Sequence, residues 1–154
     1  MVFFRIANLN DLNDLITLRV EFLREIQYMN DDKLSAELMG KLRQYFERSI
    51  SSGDFIAWIA LDRDEIIGTS GICFLIHPPS NKNISGKEAY IMNMYTKPKW
   101  RKQGIGTVLL DKVIEEATKR RIKKIILDTT EAGKSIYVKR GFQFVDNAMY
   151  LEEK

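Results

Sequence analysis

The sequence has 154 residues, of which 45% are hydrophobic and 29% charged, and its formal net charge is +3. This length predicts one domain, residues 1–154, which can bury a core without a metal or a disulfide. The single cysteine, Cys73, excludes an internal disulfide and fits a reducing compartment. The N-terminus lacks a signal-peptide pattern, and no apolar run approaches the roughly 20 residues that span a bilayer. We therefore expect a soluble, cytoplasmic protein with no membrane partner.

Charge is distributed unevenly along the chain. Residues 1–96 carry 10 Lys and Arg against 13 Asp and Glu, a net charge of −3, whereas residues 97–140 carry 13 against 5, a net charge of +8. Positive charge is thus concentrated where a polyanionic ligand would be favoured. The basic run at residues 119–124 leaves nucleic acid as a competing ligand. Cations at a helix C-terminus also favour the helix dipole and solvent, so we expect no nucleic-acid partner.

The first half of the chain predicts four elements in the order strand, helix, helix, hairpin. Residues 3–7 are rich in β-forming side chains, and Asn8 or Asn10 can cap the helix that follows. Helical spacing of apolar residues extends to Ile26 and resumes over about residues 32–49. Residues 55–61 and 66–76, joined by a short charged turn, predict an antiparallel hairpin. Gly68 and Gly71 in its second strand indicate either a bulge or a close backbone approach.

A proline-containing loop at residues 77–86 separates this hairpin from a buried strand at residues 89–96. His77, the only histidine, is either a base near neutral pH or an ordinary loop residue. Near the C-terminus, residues 125–128 predict a fifth strand, and a short helix follows that ends before Gly141, a residue suited to a left-handed cap. Residues 142–145 and 148–151 predict a last hairpin.

A turn between strand and helix lies at residues 101–106, with the sequence Arg-Lys-Gln-Gly-Ile-Gly. Beyond it, apolar residues recur every four positions from Ile105 to Ala117, which predicts a helix packed on a core. The two glycines let the backbone approach a ligand, and the first-turn amides with the positive end of the helix dipole attract an anion. The alternative is a glycine-containing turn with ordinary surface cations. A dinucleotide fingerprint is excluded because Leu109 stands at its third glycine, and no P-loop pattern occurs.

This turn resembles the pyrophosphate loop of the GNAT-type N-acetyltransferases, Arg/Gln-x-x-Gly-x-Gly/Ala, through Arg101, Gly104 and Gly106. Residues 95–100 resemble the family's strand end and its Pro-x-aromatic lead-in. Residues 135–142 resemble its second signature, a helix that carries a tyrosine and ends at Gly-Phe. Both motifs in this order form a more specific signal than either alone, and the resemblance extends over essentially the whole chain.

The resemblance implies an α+β fold with three layers, α/β/α. The expected sheet is mixed, mostly antiparallel, has about seven strands and splays between strands 4 and 5, with about four helices around it. The resemblance also implies acetyl-CoA as co-substrate, no metal, and direct transfer of acetyl to a primary amine of a small molecule or peptide in a ternary complex. The loop residues Tyr28, Met29 and Asn30 would border the acceptor, and a homodimer is a further expectation because relatives are commonly dimers.

The resemblance also suggests how the chemistry is divided. Tyr137 matches the signature tyrosine and is expected to protonate the departing thiolate, since a phenol has a pKa of about 10. Many relatives carry an acid where this sequence has Met92 and Asn93, so we expect a water-relayed base, with Asn93 orienting the water and Glu88 as the carboxylate. A solvated strand-end glutamate is the alternative for Glu88. The residues expected to bind the cofactor are Met94, Tyr95, Thr96, Arg101, Lys102, Gln103, Gly104, Ile105, Gly106, Thr107, Ser135 and Lys139.

A rival interpretation comes from the same departure from the family pattern. Without an acid at residues 92 and 93, the chain could be a non-catalytic module that binds acyl-CoA or a partner through a GNAT fold. The signature tyrosine favours the enzyme, because cofactor binding alone has less need of that phenol.

Overall fold

The computed structural model describes residues 1–26 and 32–153, except for the side chains of residues 32–35. The predicted loop contacts Tyr28, Met29 and Asn30 lie outside the described residues. The strands are β1 (Val2–Ile6), β2 (Phe55–Asp62), β3 (Glu65–Ile76), β4 (Lys87–Thr96) and β5 (Lys124–Leu127), and the α-helices are α1 (Leu12–Glu25), α2 (Asp32–Ser52), α3 (Ile105–Lys119) and α4 (Lys134–Arg140).

The five strands form one sheet in the order β1-β2-β3-β4-β5. The first three pairings are antiparallel, whereas β4 and β5 run parallel from Glu88 opposite Lys124 to Ile91 opposite Leu127. Beyond Ile91, β4 continues to Thr96 without β5 beside it, because the chain leaves β5 at Leu127. The mixed sheet is therefore open between β4 and β5 at the carboxyl end of β4.

The number of strands corrects the sequence-based expectation. In the described part of the chain the sheet has five strands rather than about seven, and the last hairpin at residues 142–151 is not formed. Apolar side chains of this segment are exposed, including Val145 at 74% and Leu151 at 93%. Alternating apolar residues give a segment the side chains of a strand, but they do not supply a neighbouring edge to pair with or a layer to cover the face.

Alternation along β2 shows how the sheet separates two cores. Phe55, Ala57 and Ile59 pack toward α1 and α2, while Ile56 and Trp58 face α3. The predicted stripe of α3 is buried against this second face, with Leu109 and Val113 fully covered. Burial of each such large apolar side chain contributes about 1.5–3 kcal/mol. The chain thus forms the expected three layers, with two helices on each side of the sheet.

Local interactions fix two of the predicted features. Asn8 accepts a hydrogen bond from the amide of Asn10, and the Asp11 carboxylate accepts one from the amide of Asn8, which together start the short 3-10 turn before α1. The two alternatives predicted for the glycines of β3, a bulge and a close approach, both occur at Gly71. A Cβ there would lie 2.5 Å from the Phe55 ring, and the β3 to β4 register shifts between Thr69 and Gly71.

In the described part of the chain, no helix has the length and apolar character needed to cross a membrane.

Candidate active site

The bulge in β4 is centred on Asn93, whose φ is +55°, a left-handed conformation that few non-glycine residues adopt. It changes the phase of the strand, so that Met92 and Tyr95 pack in the α1 and α2 core while Met94 packs in the α3 core. The Oδ1 atom of Asn93 is buried and has no hydrogen-bond donor among the described residues. A buried acceptor of this kind normally has a donor, which a bound ligand or a water can supply.

A cleft of about 560 Å³ lies where β4 and β5 separate. Its walls come from α1, the middle of β4, the segment after β5, and α4, and the C-terminal segment contributes Tyr150 and Glu152. Asn93 and Met94 of β4 line it together with Tyr137 of α4. The structure therefore brings two of the three predicted catalytic residues into one cavity.

Tyr137 is held in the wall of this cleft by its ring. The ring is buried against the α3 core and meets Phe142 edge to face at 5.9 Å between centroids, and a Cβ on Gly133 would lie 3.1 Å from it. Burial disfavours the phenolate and raises the pKa of Tyr137 to about 12. The hydroxyl therefore keeps its proton at neutral pH, which is the state that a proton donor needs.

The loop at residues 101–107 lies beside the carboxyl end of β4. Gly104 is the N-terminal cap of α3 with φ +81°, and the space around its missing Cβ is empty within 4 Å. A Cβ on Gly106 would lie 3.4 Å from Ile136 of α4 and 4.0 Å from Oγ1 of Thr96. The loop, the end of β4 and α4 are thus neighbours, and the first-turn amides of α3 have no acceptors within the helix.

Arg101 holds this loop in place. Its guanidinium lies 2.6 Å from the Glu25 carboxylate at the end of α1, and its Nε donates to the Thr96 carbonyl at 2.8 Å. It also lies over the Tyr95 ring at 5.5 Å, and the hydrogen bond to Glu25 is the main reason that the pKa of Arg101 is raised. The side chain is thus engaged by the protein, and phosphate binding by Arg101 stays a prediction.

The other predicted cofactor residues form a more open set. Lys102, with φ +60°, Gln103 and Thr107 are exposed around the loop, and Ile105 is buried under it. The Gln103 side chain donates to the Lys99 carbonyl at 3.3 Å. Ser135 and Lys139 lie exposed on α4. These positions surround the open loop, and their contacts with a cofactor stay predictions.

Glu88 lies apart from the other two predicted catalytic residues. It is five residues before Asn93, or about 16 Å along an extended strand. Its buried carboxylate lies 2.6 Å from Lys124 Nζ and 3.3 Å from His77 Nε2, and it does not line the cleft. This geometry favours a structural role for Glu88, paired with Lys124 and in contact with His77. The base role of Glu88 stays a prediction, because it shares no cavity with Asn93 and Tyr137.

Sequence reasoning missed Arg19, Tyr90 and Asp128, which also line the cleft. The Tyr90 hydroxyl donates to Asp128 at 2.6 Å, across the opening of the sheet. The position of Asp128 in the sequence could have indicated it, because Asp128 directly follows the apolar strand β5, which runs parallel to β4. Ligands of open sheets bind at the carboxyl ends of parallel strands.

The basic run at residues 119–124 is largely used within the protein. Lys124 pairs with Glu88, and Lys119 lies 3.2 Å from the buried carboxylate of Glu116. The Arg120 guanidinium lies 3.7 Å from the centre of the Phe74 ring and donates to the Gly53 carbonyl. These contacts support the interpretation that the basic run serves the protein's own structure rather than a nucleic-acid ligand. Among the side chains of residues 1–26 and 36–153, no three His, Cys, Asp or Glu gather as metal ligands.

Comparison with a model of the Acetyltransferase (GNAT) family gives a match over residues 20–142, which is more than half of the chain. The chain belongs to the GNAT acetyltransferase family. It is therefore an acyltransferase enzyme by family, as its two sequence motifs predicted. No curated protein matches the sequence.

Solved structures agree with this family. A predicted acetyltransferase from Clostridium acetobutylicum, crystallised with acetyl-CoA, is 34% identical with a TM-score of 0.90, and the match covers 99% of this chain and 96% of that one. A GCN5-related N-acetyltransferase from Ralstonia eutropha JMP134 is 23% identical with a TM-score of 0.88 over 99% of both chains. An aminoglycoside acetyltransferase from an uncultured soil sample shares the fold at 15% identity and a TM-score of 0.70, covering 99% of this chain and 95% of that one.

Proposed function

We propose that this enzyme transfers the acetyl group of acetyl-CoA to a primary amine bound in the cleft between β4 and β5. The observation that carries the proposal is the presence of Tyr137 and Asn93 in one cavity, beside the open loop at Gly104. Support also comes from the Clostridium acetobutylicum relative, which was crystallised with acetyl-CoA.

The residues at the opening suit acetyl-CoA. Residues 94–96 lie beyond the last β5 partner, so one edge of β4 has backbone groups that need hydrogen-bond partners. An extended ligand with its own amides, such as the pantetheine arm, can pair with that edge. The first-turn amides of α3 at residues 105–107 and the cationic surroundings of the loop would hold the phosphates.

Asn93 and Tyr137 divide the work on the acceptor and the leaving group. The buried Oδ1 of Asn93 accepts a hydrogen bond from the amine or from a water beside it. Tyr137, a phenol that is protonated at neutral pH, donates its proton to the sulfur that leaves. A backbone amide near Tyr95 is the predicted donor to the oxyanion.

The proton of the ammonium has acceptors within the cleft. Asp128 and Glu152 are the carboxylates that line it in the described part of the chain. We propose that one of them receives the proton through water, in the role that the sequence predicted for Glu88. A cytoplasmic location and a homodimer remain predictions.

Calorimetric titration with acetyl-CoA, followed by thiol release on a panel of amines, tests this function. Binding together with release on any amine supports it. Binding without release on a broad panel would favour a non-catalytic module. The absence of binding would overturn the assignment of the loop at residues 101–107.

A further inference from the structure

Arg19 is a cation in the wall of the cleft. It lies on α1, half-buried, with its guanidinium 5.7 Å from the centre of the Phe22 ring. Desolvation is the main reason that its pKa is lowered. Among the side chains of residues 1–26 and 36–153, no carboxylate lies within ion-pair distance of it.

A half-buried guanidinium without a counter-ion loses hydration and gains little in return. Its planar set of N–H groups matches the two oxygens of a carboxylate better than it matches any neutral group. Because Arg19 also lines the cleft, a carboxylate on the bound molecule would supply the missing partner.

Asp128 is the complementary feature. One of its oxygens accepts a hydrogen bond from the Tyr90 hydroxyl at 2.6 Å, and the other accepts one from the Tyr150 hydroxyl at 3.4 Å. Among the side chains of residues 1–26 and 36–153, no Lys or Arg lies within ion-pair distance of Asp128, and its oxygens keep lone pairs for a further donor. Glu152 adds a second negative charge to the cleft.

Tyr90 lines the same cleft as Arg19 and Asp128, and its hydroxyl donates to Asp128. The cleft therefore presents a cation and an anion that do not pair with each other, and a molecule with both charges would complement both.

We propose that the acceptor is an amino-acid-type molecule, whose carboxylate binds Arg19 and whose ammonium binds Asp128. This inference rests on the proposed function and narrows its acceptor from any amine to an amine that carries a carboxylate. A diamine without a carboxylate would use the Asp128 side alone.

Matched substrates test the inference. Free amino acids, including ω-amino acids, are compared with their amides, and lysine is compared with cadaverine. Thiol release gives kcat/KM, and calorimetry gives the affinity of each compound for the protein saturated with CoA. We expect at least one acid to exceed its amide by about tenfold or more in kcat/KM, because a guanidinium to carboxylate contact is charge-assisted.

Three variants separate binding of the carboxylate from general damage. Arg19→Met should bring the ratio of kcat/KM between acid and amide to about one, and Arg19→Lys should retain part of the preference. Asp128→Asn should lower both by a similar factor, since both carry the amine. Arg48→Met is the control, because it removes an exposed cation of α2 that does not line the cleft.

The outcomes distinguish this inference from the proposed function. If no acid binds or reacts better than its amide, or if the preference survives Arg19→Met, the inference is overturned while acetyl transfer to other amines can stand. If acetyl-CoA itself does not bind, the proposed function is lost and the inference with it.

Discussion

The two halves of β4 differ in what their side chains are used for. In the first half, up to Ile91, the strand has neighbours on both sides, and Glu88 is held between Lys124 and His77. In the second half, β5 is no longer paired with the strand, the bulge at Asn93 changes its phase, and the strand forms one wall of the cleft, which reaches back to Tyr90. The same strand is thus sheet interior at one end and active-site wall at the other.

This difference shows why an acidic residue on β4 is not automatically a base. In the paired half, the Glu88 carboxylate is engaged by Lys124 of β5 and by the His77 ring after β3. In the open half, a polar side chain meets the cavity with its hydrogen-bonding capacity unused, as Asn93 does. We therefore expect the position along the strand, as well as the residue type, to decide which polar side chain can reach a molecule in the cleft.

Among the variants that test the open half of β4, Tyr137→Phe should have the largest effect on catalysis. We expect kcat to fall about a hundredfold, since a positioned general acid contributes about 10²–10⁴ in rate. The Kd for acetyl-CoA should stay unchanged, because the ring and its contact with Phe142 are retained. Thiol release measures kcat, and calorimetry measures the Kd for acetyl-CoA. Tyr45→Phe on α2, outside the cleft, is the control. An unchanged kcat in Tyr137→Phe would remove this residue from the role of acid.

Gly104→Glu and Gly104→Gln test the anion site beside the open half. Both side chains have room, but both are strained at φ +81°, so we expect each variant to lose a similar stability of about 1–2 kcal/mol. Only the glutamate carboxylate also repels phosphates. The Kd of the Gly104→Glu variant for acetyl-CoA should therefore be about tenfold higher than that of the Gly104→Gln variant, and this difference in Kd should shrink as salt is added. Equal Kd values would argue against phosphates at this helix terminus.

Much of this arrangement followed from local sequence patterns. The stripe after Ile105 predicted α3, and Gly141, which adopts φ +105°, ends α4 as its sequence position indicated. The loop and the tyrosine helix were recognisable because each motif is a few residues long and its geometry is set within those residues.

The rest depends on contacts between distant positions. Glu25 is 76 residues from Arg101, and Tyr90 is 38 residues from Asp128, so no local pattern reports either pair. The last hairpin was predicted wrongly for a related reason. Apolar alternation describes one segment, whereas a strand requires a partner edge, and the segment after Gly141 does not pair with β5.

Glu88→Gln tests the paired half of β4. We expect kcat to stay unchanged and the free energy of unfolding to fall by about 1 kcal/mol, a modest value because Lys124 and His77 are both more than half exposed. Glu131→Gln removes a fully surface pair with Lys134 and should cost less. Chemical denaturation measures both. A tenfold loss of kcat in Glu88→Gln would instead give Glu88 the base role that the sequence predicted.

The smallest effect is expected in the alkaline pH profile. Burial raises the pKa of Tyr137 to about 12, so the proton donor stays protonated through pH 10, where a solvated phenol would be half ionised. Activity should rise as the acceptor amine loses its proton and then remain level up to about pH 10.5. The profile of kcat from pH 6 to 10.5 measures this. A decline with a midpoint near pH 10 that is absent in Tyr137→Phe would mean that water reaches the phenol, and that the open half of β4 is wetter than its packing indicates.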